Sequence, residues 1–182
     1  MMVYLLLGDG FEEMEALAPI DLLRRAGIAI SSVSLYDDRL TVTGGHGVVF
    51  TADVTIRQIA NEIPDMVILP GGLGGVKEIS ASKEALELVQ RTFEQNRYVA
   101  AICAAPTILQ SMGILNGRKA TCYPSMQKDL GDSLCPAPLC VDGKLVTAQA
   151  AGTAMDFALL LIEFLSGKEK ADQVAASIYH IR

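Results

Sequence analysis

A single cysteine stands where YVAAI gives way to AAPTIL: five mostly apolar residues lead into Cys103, and Pro106 opens a helix-like run behind it. Proline suits the first turn of a helix because its missing N–H costs nothing there, so the pattern reads as strand, sharp turn, helix. A helix N-terminus offers free N–H groups and partial positive charge, which stabilise a thiolate and lower its pKa. Cys103 is therefore a candidate nucleophile, and the small Ala104 and Ala105 suit a crowded elbow that keeps the sulfur open to a ligand. The plainer reading, a small buried hydrophobe, weighs about as much on these residues alone.

Glu15 is the second candidate. On a helix it shares a stripe with Ala18, Pro19 and Leu22, an uncharged surface that desolvates a carboxyl group and raises its pKa. A protonated glutamic acid beside a thiolate can donate a hydrogen bond to it and later act as a general acid. Pro19 cannot bond back to the Glu15 carbonyl, which predicts a distortion there. For Glu12 and Glu13 the simpler account is preferred: they complement the positive end of a helix. A third corner, LPGGLGG, supplies backbone, since glycines let N–H groups approach a ligand as an oxyanion site requires. The amides of Gly72 and Ala104 are the expected donors.

Other polar residues offer less. Neither GDGFEE nor GGLGGV completes a dinucleotide fingerprint, and Glu12 and Glu13 would repel phosphate, so no nucleotide cofactor is expected. His46 and His180 form no metal-ligand spacing with a cysteine, and no metal is expected. Cys135 and Cys140 bracket PAPL, outside any C-x-x-C or four-ligand pattern, and read as structural or incidental. Arg24 and Arg25 complement the carboxyl end of the first helix.

What must position these corners is an alternation of short apolar runs with helical patterns: VYLLL, residues 12–26, IAISSVSLY, DMVILP, YVAAIC, KATCY and KLVTA. Alternation of this kind predicts parallel βαβ units in a three-layer, flavodoxin-like α/β domain, a single domain over residues 1–182. Binding sites in such sheets lie beyond the carboxyl ends of the strands, where all three corners fall. The stretch LTVTGGHGVVFTADV predicts a β-hairpin appended to the main sheet. From Gly152 onward the chain reads as helical, with a break at SGKE.

The 182 residues include 51% hydrophobic and 20% charged residues, a globular composition. Fifteen basic against 21 acidic residues give a net charge of −6, with no basic cluster for nucleic acid. MMVYLLLGDG is too short an apolar run for a signal peptide or membrane span, which predicts a soluble cytoplasmic protein with reduced thiols.

GFEEMEALAPIDLLRRAGI, DMVILPGGLGG, AAICAAPTIL and GTAMDFALLLIEFLSGKEKADQV, in that order, resemble the ThiJ/PfpI superfamily and within it the branch of the parkinsonism-associated deglycases. The resemblance runs essentially end to end. It implies a class I glutamine amidotransferase-like domain, a homodimer and no cofactor. It also implies that Cys103 is the elbow nucleophile, Glu15 its carboxyl partner, and the Gly72 and Ala104 amides the oxyanion donors. The implied activity is that of a glyoxalase or deglycase acting on reactive dicarbonyls or their early adducts with protein side chains. An oxidative-stress sensor built on a readily oxidised Cys103, or a chaperone, is the alternative. Protease and chaperone relatives, and many deglycases, carry a histidine where Tyr123 stands, so a Cys-His peptidase is disfavoured. An arginine that relatives often place in the hairpin is replaced here by His46 or its neighbours.

Overall fold

The computed structural model describes residues 1–181. The chain runs β1 (Met2–Leu7), α1 (Glu13–Arg25), β2 (Ala29–Ser34), β3 (Thr41–Thr43), β4 (Val49–Thr51), β5 (Val54–Thr55), β6 (Met66–Leu69), α2 (Leu73–Ala81), α3 (Lys83–Glu94), β7 (Tyr98–Ile102), α4 (Pro106–Ser111), β8 (Leu139–Asp142), β9 (Leu145–Ala148), α5 (Ala154–Ser166) and α6 (Lys168–Ser177). A seven-stranded sheet has the order β5-β2-β1-β6-β7-β9-β8, parallel throughout except for the edge strand β8, which runs antiparallel to β9.

Period-two alternation explains why helices cover both faces. Leu5, Leu7, Ile68, Ala100, Ile102 and Val146 point to one side, where α1, α5 and α6 contribute Ala16, Leu22, Phe157, Leu161 and Val174. Tyr4, Leu6, Val67, Leu69, Val99, Ala101 and Leu145 point to the other, against Ile79 of α2, Leu88 of α3 and Ile108 of α4. Sheet and helices together make the three-layer, flavodoxin-like arrangement that the alternation predicts. Among the described residues no helix is long and apolar enough to cross a membrane.

Two sequence expectations change, those for KATCY and for the hairpin. KATCY is no strand: its Ala120 makes only an isolated bridge to Leu134. The amides beyond it turn to separate partners, Thr121 N–H to Thr147 Oγ1 at 2.9 Å and Tyr123 N–H to the Cys103 carbonyl at 2.8 Å. The hairpin exists, but β3 and β4 form their own two-stranded sheet and are not joined to the main one. Its turn spans Gly44 to Val48 because the Gly44 N–H bonds to the Val48 carbonyl. α1 continues unbroken through Pro19. The break at SGKE does occur, where Gly167 at φ 87° separates α5 from α6.

Candidate active site

β1, β6 and β7 are neighbours in the sheet, so the loops leaving their carboxyl ends meet at one rim. The first of these loops feeds α1. Glu12 caps that helix, its side chain accepting from the Glu15 N–H at 2.7 Å, and Glu12 N–H donates to the Gly71 carbonyl at 3.0 Å. That second bond ties the β1 loop to the β6 loop and brings Glu15 towards the elbow.

Two glycines make the approach possible. A Cβ on Gly71 would lie 2.4 Å from Glu15 Oε2 and 2.6 Å from Cys103 Cβ, so only hydrogen fits between acid and thiol. Gly72 has φ +84°, and a Cβ there would sit 2.3 Å from the Gly10 carbonyl oxygen. Any side chain at either position would push the two loops apart.

Cys103 occupies the sharp turn after β7. Its φ of 64° is left-handed, a conformation that carries strain in a non-glycine residue. Both of its backbone groups are held: the N–H donates to the Ala148 carbonyl at 3.0 Å, and the carbonyl accepts from Tyr123 N–H at 2.8 Å. α4 then begins at Pro106, and the buried Ala104 and Ala105 occupy the turn.

Glu15 is 1% exposed. Oε2 accepts from the Gly71 N–H at 2.8 Å, while Oε1 is buried without a hydrogen bond of ordinary geometry. Burial pushes this carboxyl up to about 7, against the pull of the Cys103 thiol and the Gly71 amide. The rise agrees with the sequence expectation. The expectation of a lowered Cys103 pKa does not survive: burial, then the charge of Glu15 and its hydrogen bond, push the thiol up to about 12. Helix-terminus reasoning counted the amides and missed the carboxyl group beside them. The Ala104 and Gly72 amides still act in the lowering direction on the sulfur, so the two expected donors do face it. Thiol and carboxyl thus form one coupled pair, and its first proton leaves from the pair as a whole.

A cleft of about 420 Å³ opens over this pair. It is lined by Glu12, Gly72, Leu73, Cys103, Ala104, Tyr123, Ser125 and Met126. Larger grooves of about 480 Å³ beside Arg39 and about 520 Å³ beside Arg118 are lined by no cysteine.

Neither histidine reaches the cleft. His180 Nε2 lies 2.8 Å from Asp156 Oδ1, and His46 Nδ1 lies 2.7 Å from Glu13 Oε2. Glu12 caps α1 and Glu13 lies in its first turn, where the helix-dipole account puts them, but Glu13 is also 7% exposed and bonded to both the ring and the backbone N–H of His46. Glu12, Glu13 and His46 also bring one potential ligand atom each to within 4.8 Å of one another, although His46 lies 33 positions beyond Glu13, a grouping that spacing could not reveal. Both Glu13 oxygens are already engaged by His46, so this trio is described by its internal bonds. Gly71, which donates to Glu15 and separates it from the thiol, was also missed. The clue was present in the paired glycines of LPGGLGG, but only the fold distinguishes Gly71 from Gly72.

Comparison with known proteins follows the same geometry. The DJ-1/PfpI family description matches residues 1–164. The chain is 37% identical to Protein dj-1beta of Drosophila melanogaster, covering 95% of this chain and 94% of that protein. It is 31% identical to a deglycase of Pyrococcus abyssi, over 84% of this chain and 92% of the relative. It spans only 39% and 44% of the length of two Arabidopsis thaliana DJ-1 homologs, to each of which it is 36% identical. Among solved structures, oxidized DJ-1 of Toxoplasma gondii superposes with a TM-score of 0.96 at 34% identity, covering 100% of this chain and 99% of that one. With the elbow, the fold and these relatives in agreement, the chain belongs to the DJ-1/PfpI family.

Proposed function

We propose that the protein is a cofactor-independent enzyme of the glyoxalase or deglycase type, acting on small reactive dicarbonyls or on the early adducts they form with protein amines and thiols. One observation carries this reading: the Cys103 sulfur lies between a buried carboxyl raised to about 7 and two backbone amides, those of Gly72 and Ala104. The deglycase name of the Pyrococcus abyssi relative supports the substrate class.

In the reactive form of the pair the proton sits on Glu15 and the charge on sulfur. Sγ adds to the aldehyde carbon, the carbonyl π bond opens, and the oxygen takes up the electron pair between the Gly72 and Ala104 N–H groups. Glu15 gives that oxygen its proton. The resulting carboxylate then removes the proton from the former aldehyde carbon and returns it to the adjacent carbon, while the proton on the first oxygen passes to the neighbouring ketone oxygen, so that the first carbon becomes the carbonyl of a thioester and the second carries the hydroxyl of a hydroxy acid. Water cleaves the thioester, releasing the acid and restoring the thiol. A cleft of about 420 Å³ walled by Leu73, Tyr123 and Met126 suits a substrate of this size. With both histidines engaged away from the cleft, a Cys-His peptidase has no base. The expected homodimer is part of this proposal.

The test is release of hydroxy acid from methylglyoxal by the wild type and by Cys103→Ala. The variant should fall to the uncatalysed rate, and substantial residual turnover would overturn the assignment.

A second reading is favoured by the protonation of Glu15 near neutral pH: a sulfinate on Cys103 would accept a hydrogen bond from the neutral carboxyl. The oxidized state named for the Toxoplasma gondii relative is consistent with such chemistry in the family. Intact mass after mild peroxide decides it, and the absence of a two-oxygen adduct on Cys103 would exclude it.

A further inference from the structure

Cys135 and Cys140 read as incidental in sequence, yet the fold brings them together away from the cleft. In the antiparallel ladder Cys140 of β8 lies opposite Thr147 of β9, so their side chains share a face of the sheet. That face is the one crossed by residues 120–121, because Thr147 Oγ1 accepts the Thr121 N–H at 2.9 Å. Cys135 is held against the same segment, its N–H bonded to the Ala120 carbonyl at 2.8 Å. Two crossings of the chain therefore lead both thiols to the same side of β9, near enough for Cys135 to raise the pKa of the Cys140 thiol.

We propose that Cys135 and Cys140 are a redox-active dithiol, separate from Cys103, that closes to an intramolecular disulfide on reaction with peroxide. The two thiols differ in access. Cys135 is partly exposed, whereas Cys140 is 6% exposed. Burial, then the hydrogen bond and charge of Cys135, push the Cys140 thiol up to about 12, which keeps it protonated. Cys135 is accordingly the thiol that meets the oxidant and Cys140 the one that resolves it. Cys135 sulfur, giving up its proton, attacks one peroxide oxygen; the O–O bond breaks, the departing hydroxide takes that proton to become water, and Cys135 is left as a sulfenic acid. Cys140 sulfur, giving up its proton, attacks the sulfenic sulfur, the S–S bond forms and the hydroxyl leaves as a second water. In all, two electrons and two protons pass from the thiols to the peroxide. Pro136 and Pro138 fix φ within the intervening chain and reduce the freedom lost on closing so short a loop.

Both cysteines fall within one tryptic peptide, 129–144, between Lys128 and Lys144. The Cys103→Ala protein is treated with hydrogen peroxide, alkylated under denaturing conditions and digested. The expected peptide carries no alkyl group, is lighter by two hydrogen atoms than its reduced form, and becomes doubly alkylated after dithiothreitol. Cys135→Ser in the same background should abolish the mass loss. A doubly alkylated peptide after peroxide, a sulfinate on Cys135 beside a free Cys140, or linkage to another peptide would each overturn the proposal.

Discussion

Glu13 and Glu15 lie two residues apart in the first turn of α1, exposed by 7% and 1%, yet they titrate in opposite directions. Around Glu15, burial dominates: no cation faces it, Oε1 lacks a partner, and the carboxyl is pushed up to about 7. Around Glu13, burial also acts upward, but the His46 ring and backbone N–H outweigh it and hold the carboxyl below its usual range. One turn of helix therefore presents a proton donor inward and a fixed anion outward. Depth raises the inner carboxyl and partners lower the outer one, and the two together decide which carboxyl can take part in chemistry.

The largest way to break this contrast is to remove the inner partner. Cys103→Ala should eliminate turnover of dicarbonyls while leaving Glu15 elevated, because burial is the first cause of its shift. Carboxyl NMR titration checks the second half: a Glu15 midpoint returning to the ordinary glutamate value would mean that the thiol, and not desolvation, sets it.

Glu15→Gln sharpens the same point through stability. The unfolded chain gives up this proton near the ordinary glutamate value of 4.5 and the folded one near 7, so stability is fully present below pH 4.5 and declines as pH rises to 7. The decline is worth about 3 kcal/mol at most. Denaturant melts at pH 5 and pH 8 should show the glutamine variant gaining on the wild type at the higher pH, and parallel behaviour would refute the shift.

Gly71→Ala follows in size. Its Cβ would meet Glu15 Oε2 and Cys103 Cβ at 2.4 Å and 2.6 Å, an overpacking that costs about 1–3 kcal/mol. Thermal denaturation should show the loss, together with faster alkylation of Cys103, because separating α1 from the elbow takes away the Glu15 charge and hydrogen bond that raise the thiol pKa. An unchanged melting temperature would place the glycine's role elsewhere.

Much of this was legible in the chain because strand and helix periods are local. VYLLL, DMVILP and YVAAIC each became a parallel strand, and Pro106 opened α4 as its missing N–H predicted. The stripe through Glu15 was legible for the same reason. KATCY carries strand-like residues but no strand partner, since Thr121 bonds to a side chain and Tyr123 to the elbow, contacts with no local signature. The Cys103 pKa was misjudged because the helix terminus is written next to the cysteine, whereas the opposing carboxyl lies 88 positions away in sequence. The Glu13–His46 bond, spanning 33 residues, was hidden likewise.

His46→Ala is the mildest test and bears on the outer half of the contrast. The ring is highly exposed and its own pKa is raised, chiefly by its hydrogen bond to Glu13 and then by that residue's charge. The pair is thus doubly charged from above the lowered Glu13 midpoint up to the raised His46 midpoint. The contribution of imidazolium to stability is complete below the usual histidine value and fades as pH rises through the raised one. Removing the ring leaves Glu13 its backbone bond to residue 46, at 2.7 Å, but takes away the bond to Oε2. Burial then prevails and the Glu13 midpoint should rise, read by carboxyl NMR, with little change in turnover. Raising the salt concentration should move the wild type part of the way in the same direction, because an exposed cation is screened. If Glu13 titrates unchanged in His46→Ala, the backbone N–H alone is what distinguishes it from Glu15.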